Sequence, residues 1–503
     1  MFIGGKVVPV FLLCALIAPG GMGKVLARWT EKAMPPAKSL GVSEIAIPWN
    51  ASASALMYTA RDKGYRVYLE ATSQQAKDAA ESAAKAVFAG LIIEPAVGNE
   101  REAQELLQKL RASYPKLDLR ILLAQGKQPQ VKGNLVYQRN GVLQVSSPTA
   151  QPWVDSNLAA VRLAQAVYPD AIPLYSFAWN ATDPLQKQLG PRVADYALAV
   201  AEAGAFHSDL ILELPENLQK SLANGEPGAW ATWKQVRQVV DFYGAGNRAA
   251  SKPEWSVGVW TDSEEKSYEV INLMARHNIP FGVLNKERLN TDTVKELDVL
   301  VAISAPEKEQ IGILIEFAMA GGTVVLVNAQ GTFPWQSDTP LRRSEFAVTY
   351  GVGKGRVIEF SGAVTDPETF AQDIRRLMTK ERVPVSLWNS LTMLVVPYRD
   401  LRTGQVVLEF VNYEEETQEV QVQVKGSFAS IRYGTPERSC CEAISPRYVD
   451  GFTEFVVPHL VTGGRVSLRP SAPEKKIGAP AAKSHRDQRF RYLSYRATPG
   501  RQL

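Results

Sequence analysis

The chain has 503 residues, 45% hydrophobic and 21% charged, an ordinary globular composition long enough for about three domains. Its formal net charge of +4 is unevenly spread. Eight Lys/Arg stand against two Asp/Glu after Pro470, and the first 27 residues hold two lysines and no acid, so the body between them is mildly acidic. That balance excludes a nucleic-acid binder with a basic face. Cys440 and Cys441 are neighbours, expected as two thiols rather than a structural bridge. His207, His277 and His459 lie far apart without metal-ligand spacing, so neither a metal site nor a cofactor is expected.

In chain order, Lys6 precedes the apolar run Val7–Ala18, too short to span a bilayer but suited to the core of a signal peptide. Val25 and Ala27 offer small or aliphatic residues for cleavage after Ala27. Residues 1–27 are therefore expected to be removed, leaving a periplasmic or secreted protein with no membrane span.

Residues 28–245 read as a TIM-type (β/α) barrel, with strands expected over Val42–Trp49, Arg66–Ala71, Gly90–Pro95, Leu119–Gln125, Gly141–Ser147, Ile172–Trp179 and Asp209–Leu214. Helical stretches separate them at the spacing of βα units, which requires a parallel sheet with right-handed crossovers. The seven strands leave an eighth hidden or the barrel incomplete and degenerate, and an open doubly wound sheet is the alternative. Residues 246–381 form a second α/β block of flavodoxin-like character. In it the run Gly351–Gly355 joins two strands and opens no helix, so it is a turn and not a nucleotide loop. Residues 382–470 alternate as short strands without helices, a small antiparallel β-sandwich. Residues 471–503 form a basic tail expected to be disordered.

The middle block carries RHNIPFGVLN (Arg276–Asn285), LDVLVAIS (Leu297–Ser304), FAMAGGTVVL (Phe317–Leu326) and YGVGKGRVIEF (Tyr350–Phe360). With the three-part order, these runs resemble the beta-galactosidase-like glycoside hydrolases, in which a TIM barrel precedes a class I glutamine-amidotransferase-like, trimerisation-type domain and a C-terminal β-domain. The resemblance covers about residues 41–469 and implies a carbohydrate substrate and compatibility with a homo-oligomer. The chain departs from that family in lacking Asn-Glu-Pro at a fourth strand. The middle block is expected to be chemically silent, because its strand-to-helix turn carries Ser304 where an amidotransferase needs a cysteine.

Glycosidic hydrolysis needs two carboxyl groups at the C-terminal mouth of a barrel. Glu213 and Glu94 close two apolar strands and are the expected catalytic pair. Glu70 closes another strand and Glu216 follows Glu213 by three residues; both are expected at the substrate, with structural ion pairing as the competing role. Trp49 with Asn50, Trp153 with Asp155, and Trp179 with Asn180 stand just past strand ends as sugar platforms with polar partners. Helix capping is the competing role for Asn50 and Asp155. The reading is an exported glycoside hydrolase acting on an oligosaccharide or polysaccharide. The alternative is a non-catalytic carbohydrate-binding or structural envelope protein on a degenerate barrel.

Overall fold

The computed structural model describes residues 24–50, 54–96, 99–126, 129–132, 136–139, 142–145, 153–177, 179, 191–245, 251–262, 264–285, 289–388, 390–414 and 416–471. The apolar run of the expected leader and nearly all of the basic tail lie outside these residues. Seven parallel strands close a barrel: β1 (Val25–Arg28), β2 (Glu44–Pro48), β3 (Arg66–Thr72), β4 (Gly90–Glu94), β5 (Asp118–Gly126), β6 (Leu174–Phe177) and β7 (Asp209–Glu213). The order around the ring is β1-β7-β6-β5-β4-β3-β2, with β2 pairing back onto β1. Near-continuous apolar runs such as GLIIE and DLILE suit strands covered on both faces. Outside, the helix Ala76–Ala86 buries Ala76, Ala79, Ala80 and Ala83, a stripe with helical period.

Two strand assignments change. The expected cleavage after Ala27 falls inside β1, whose Leu26 and Ala27 are fully buried between β7 and β2. Cleavage there would open the barrel, so the folded body begins at or before Lys24. Small and aliphatic residues suit a cleavage site and a buried strand equally. Conversely, Val142–Val145 pairs antiparallel with Val136–Arg139 in a separate two-stranded ladder and contributes nothing to the barrel. The intervening Asn140-Gly141 is the sequence signature of such a hairpin.

Strand alternation fixes the barrel interior. Leu26, Ala46, Tyr68, Ile92, Leu122, Leu174 and Ile211, one from each strand, form an apolar cluster separate from the outer core. Two residues earlier, on the same side, come Lys24, Glu44, Gly90, Arg120 and Asp209. Here Arg120 bonds Asp209 at 2.8 Å and Asp118 at 2.6 Å, while Lys24 reaches Glu44 at 3.0 Å. The Arg120 guanidinium also lies over the Tyr68 ring, 4.8 Å from its centroid. Gly90 makes room for that ring: a Cβ there would meet the Asp118 carbonyl oxygen at 2.0 Å and Tyr68 at 2.9 Å. Burial pushes the Asp209 carboxyl up to about 6 despite Arg120. The N-terminal end of the barrel is thus closed by a largely internal charge network.

The second sheet has β8 (Val257–Thr261), β9 (Phe281–Asn285), β10 (Val299–Ala302), β11 (Thr323–Leu326), β12 (Ala347–Val352) and β13 (Gly355–Phe360). Its parallel part runs β9-β8-β10-β11-β13, a flavodoxin-like order, and β12 extends it antiparallel. Gly353, at φ 58°, sits in the two-residue turn between β12 and β13, as its sequence implied. The last part is a sandwich of two antiparallel sheets. One contains β15 (Met393–Asp400), β16 (Val406–Asn412), β18 (Phe428–Thr435), β19 (Arg438–Ile444) and β22 (Gly463–Pro470). The other contains β14 (Val385–Trp388), β17 (Gln418–Lys425), β20 (Arg447–Val449) and β21 (Phe452–Leu460). Cys440 and Cys441 lie side by side within β19.

Barrel and sandwich meet through buried tyrosines. The Tyr398 hydroxyl donates to the Ala205 carbonyl at 2.8 Å, and the Tyr243 hydroxyl to the Phe410 carbonyl at 3.3 Å. Tyr413 donates at 2.8 Å to Glu202, a fully buried carboxyl on the helix Val193–Phe206 that also accepts from the Asn157 backbone N–H at 3.0 Å. Burial raises Glu202 to about 7, against the lowering effect of these donors.

Two measurements check these assignments. Because the folded state raises the Glu202 pKa, folding is favoured by its protonated form, and stability should decline as pH rises from about 4.5 through 7. Glu202→Gln should flatten this decline, recovering on the order of 3 kcal/mol at pH 8 in urea titrations; an unaltered pH profile would reject the assignment. Arg120→Met should lower stability by about 3–5 kcal/mol, because Glu44 and Asp209 remain buried without it. A loss below 1 kcal/mol would show that the network does not hold the barrel floor.

Candidate functional site

The alternation that builds the floor also builds the opposite end. Two residues beyond the apolar layer, on the same inward side, come Arg28, Glu70, Glu94, Ser176 and Glu213. These are C-terminal strand ends, where parallel barrels carry their chemistry. Arg28 organises them. Its Nε donates to Glu70 at 2.7 Å, one terminal nitrogen donates to the second Glu70 oxygen, and the other donates to Glu213. Two carboxyl groups from β3 and β7 are therefore held about one guanidinium apart across β1.

Exposure differs between them. The Glu70 side chain is 6% exposed and that of Glu213 is 29% exposed, so solvent and ligand reach Glu213 and not Glu70. Burial raises the Glu70 carboxyl above its ordinary value; Arg28 opposes this by charge and hydrogen bond, and Glu94 adds to it. Glu94 is exposed and has no side-chain hydrogen bond or ion pair among the described residues. Behind the mouth, buried Gln219 accepts from the backbone N–H of Thr30 at 2.8 Å and donates to the Leu214 carbonyl at 2.6 Å. It ties the loop after β1 to the loop after β7.

The other expected residues divide. Trp49 follows β2, and Trp179 lies two residues past β6; both are half-buried against the outer core. The Trp49 N–H donates to the Glu70 carbonyl at 2.7 Å, which ties this loop to β3. Asn50 is exposed beside Trp49, and Asn180 lies outside the described residues. Trp153 and Asp155 belong to a short strand paired with Gln130–Lys132 rather than to the barrel. Asp155 is 5% exposed and its charge acts on Glu202, so it serves the buried junction instead of the rim. Glu216 opens the helix Glu216–Ala223, where it is exposed and ion-paired with Lys220 one turn on. Lys220 also reaches Glu31 at 3.7 Å, so Glu216 belongs to a surface pair on this helix. Sequence reasoning missed Arg28, because Val25–Ala27 reads as the end of the leader and hides the strand; the apolar run ending in a charge matches Glu94 and Glu213 and is the signal for it.

Elsewhere the middle sheet separates its two reactive side chains. Ser304, 5% exposed, follows β10 at the C-terminal edge and donates to Asp262. His277 precedes β9 at the opposite edge and bonds Glu368 at 2.9 Å. No serine–histidine pair forms there. Among the described residues no group of three His, Cys, Asp or Glu is placed to hold a metal ion, and no helix is long and apolar enough to cross a membrane.

No family model matches the chain, and no curated protein matches it in sequence. Its fold is similar to that of the alpha-L-fucosidase isoenzyme 2 from Paenibacillus thiaminolyticus, with a TM-score of 0.57 at 11% identity over 90% of this chain and 100% of that one. It is also similar to the beta-galactosidase from Rahnella sp. R3, with a TM-score of 0.51 at 9% identity over 86% and 94% of the two chains. At such identities the likeness is one of fold: a closed parallel barrel followed by further α/β and β parts, shared with glycoside hydrolases.

The Arg28 clamp yields a test independent of substrate. Arg28→Met leaves Glu70 buried with no cation, so its carboxyl should rise further, and stability should fall by about 3 kcal/mol. The fall should be steeper at pH 8 than at pH 5, since a raised carboxyl pKa costs stability as pH climbs. Equal losses at both pH values in urea unfolding would show that Glu70 does not depend on Arg28.

Proposed function

We propose that this chain is an exported glycosidase-like protein that hydrolyses glycosidic bonds of an oligosaccharide or polysaccharide at the C-terminal mouth of its barrel. The observation that carries the reading is the inward-facing set Arg28, Glu70, Glu94 and Glu213. The floor charges pair with one another, Arg120 with Asp209 and Asp118 and Lys24 with Glu44, whereas at the mouth Glu94 stays exposed and Glu213 partly open. With β1 counted, Glu94 closes the fourth strand and Glu213 the seventh.

In this reading Glu213, paired with Arg28, serves as nucleophile or general base, and Glu94 donates the proton to the leaving-group oxygen. Glu70 keeps Arg28 in position. Trp49 and Trp179 offer apolar faces to a sugar ring, with Asn50 and Asn180 as hydrogen-bonding partners and Trp153 in a supporting position. A carboxyl separation of about 5–5.5 Å in the substrate complex would direct retention, and about 6.5–9.5 Å inversion. Export uses the segment before Lys24, and the middle block acts as a silent amidotransferase-like domain that supports a homo-oligomer.

A second reading, a barrel that binds carbohydrate without cleaving it, is favoured by the clamp itself. Arg28 occupies Glu213, so a nucleophile there must share its oxygens with a guanidinium.

A panel of aryl glycosides separates the two. If the first reading holds, wild-type protein releases aglycone, and Glu94→Gln and Glu213→Gln each lower kcat/KM by about 10²–10⁴-fold with unchanged circular dichroism. Glycan binding without release, lost on Trp49→Ala, would establish the second. Turnover that survives both Gln variants would remove the carboxyl pair from the mouth.

A further inference from the structure

The outer face of the β14-β17-β21-β20 sheet carries a hollow of about 470 Å³ that plays no part in the mouth chemistry. Its lining combines Trp388, Gln421, Arg447 and Glu454 with apolar Val422, Ile444, Phe455 and Val456, and with Ser445. We infer that this hollow is a second carbohydrate-binding site, in which Trp388 stacks on a sugar ring of the polysaccharide that the barrel engages. The inference deepens the carbohydrate reading above and rests on it.

Register gives the argument its geometry. Alternation turns Val420, Val422, Val424, Phe455 and Val457 into the sandwich core and leaves the intervening residues outside. Trp388 pairs with Gln421 and Gln421 with Val456, which makes one row across three strands. The next row, two residues along, runs Ser386, Gln423, Glu454 and Arg447, again by direct cross-strand pairing. A large indole thus stands beside a parallel row of amide, carboxylate and guanidinium groups.

The two rows differ in what they offer. Trp388 is 43% exposed, so its indole presents an accessible aromatic face to the hollow. Gln423 is 6% exposed, and its amide donates to Glu454 at 2.9 Å, which holds that carboxylate in place. Fixed acceptors and donors beside an aromatic face match a pyranose, whose C–H face is apolar and whose hydroxyls edge the ring. The volume falls within the range of small-ligand pockets, about 300–1,000 Å³. A protein partner would instead need about 800 Å² of complementary surface, and the exposed apolar groups of this row are Trp388 and Val456 alone.

The test uses the full chain and insoluble polysaccharides of several backbones, namely cellulose, chitin, xylan, starch and galactan. Wild-type protein should adsorb to at least one. Trp388→Ala should weaken adsorption about tenfold or more, and Glu454→Gln should weaken it in the same direction, with circular dichroism and thermal midpoint unchanged. Aryl-glycoside turnover should be the same in wild type and Trp388→Ala, whereas Glu213→Gln should keep adsorption and lose turnover. Adsorption that Trp388→Ala weakens, in a protein that turns over nothing, would support the second site and sink the hydrolase reading; adsorption that Trp388→Ala leaves unchanged would overturn the inference. Turnover without adsorption to any polysaccharide would do the reverse. A wild-type dimer that Trp388→Ala dissociates in light scattering would also overturn the inference, since a second copy of the chain would then be the occupant.

Discussion

Closure of the barrel by β1 is the constraint on which the rest depends. Val25–Arg28 is a short strand, yet it completes the ring between β7 and β2 and leaves neither edge open. Closure forces every strand into one alternation phase, and that phase decides which side chains meet inside. The result is an apolar waist with charged side chains above and below it. Both charged layers follow from residues two positions either side of the waist, so neither could be moved without shifting a strand by a full pleat.

The two ends use charge differently. At the floor, Arg120 is shared between buried Asp209 and part-exposed Asp118. At the mouth, Arg28 holds Glu70 and Glu213 but not Glu94, and Glu213 stays partly open to solvent. The same pairing physics gives a structural plug below and an unequal set of carboxyl groups above. A buried acid that positions a cation, a partly open acid paired with that cation and an exposed acid across the ring form a graded series. Such grading of environment is how carboxyl groups of one chemical type acquire different tasks.

The barrel is bound to the sandwich by a seam in which polar groups are buried and paired. Tyr398, Tyr243 and Tyr413 each send a hydroxyl from or to the sandwich, and Glu202 lies at the centre of the seam. His207 stacks on Tyr398 with ring centroids 3.6 Å apart. A seam of this kind fixes orientation through hydrogen-bond geometry rather than through apolar area alone. The described residues up to Pro470 accordingly pack as one compact unit.

Local composition determined much of this protein. Apolar runs alternating with amphipathic helices specified parallel βα units, and runs such as GLIIE and DLILE placed Glu94 and Glu213 at strand ends without any coordinates. The helix-free alternation after residue 382 specified antiparallel sheets, and the GVGKG run specified a turn. What only the tertiary structure decided was partnership. VLAR reads equally as a leader end or a strand, because small aliphatic residues satisfy both, and only pairing with β7 and β2 makes it a strand. Asp155 follows a tryptophan just as Asn50 does, yet packing sends it to the Glu202 junction. Arg28 lies 42 residues from Glu70 and 185 from Glu213, and no local pattern encodes a contact made by closing a ring.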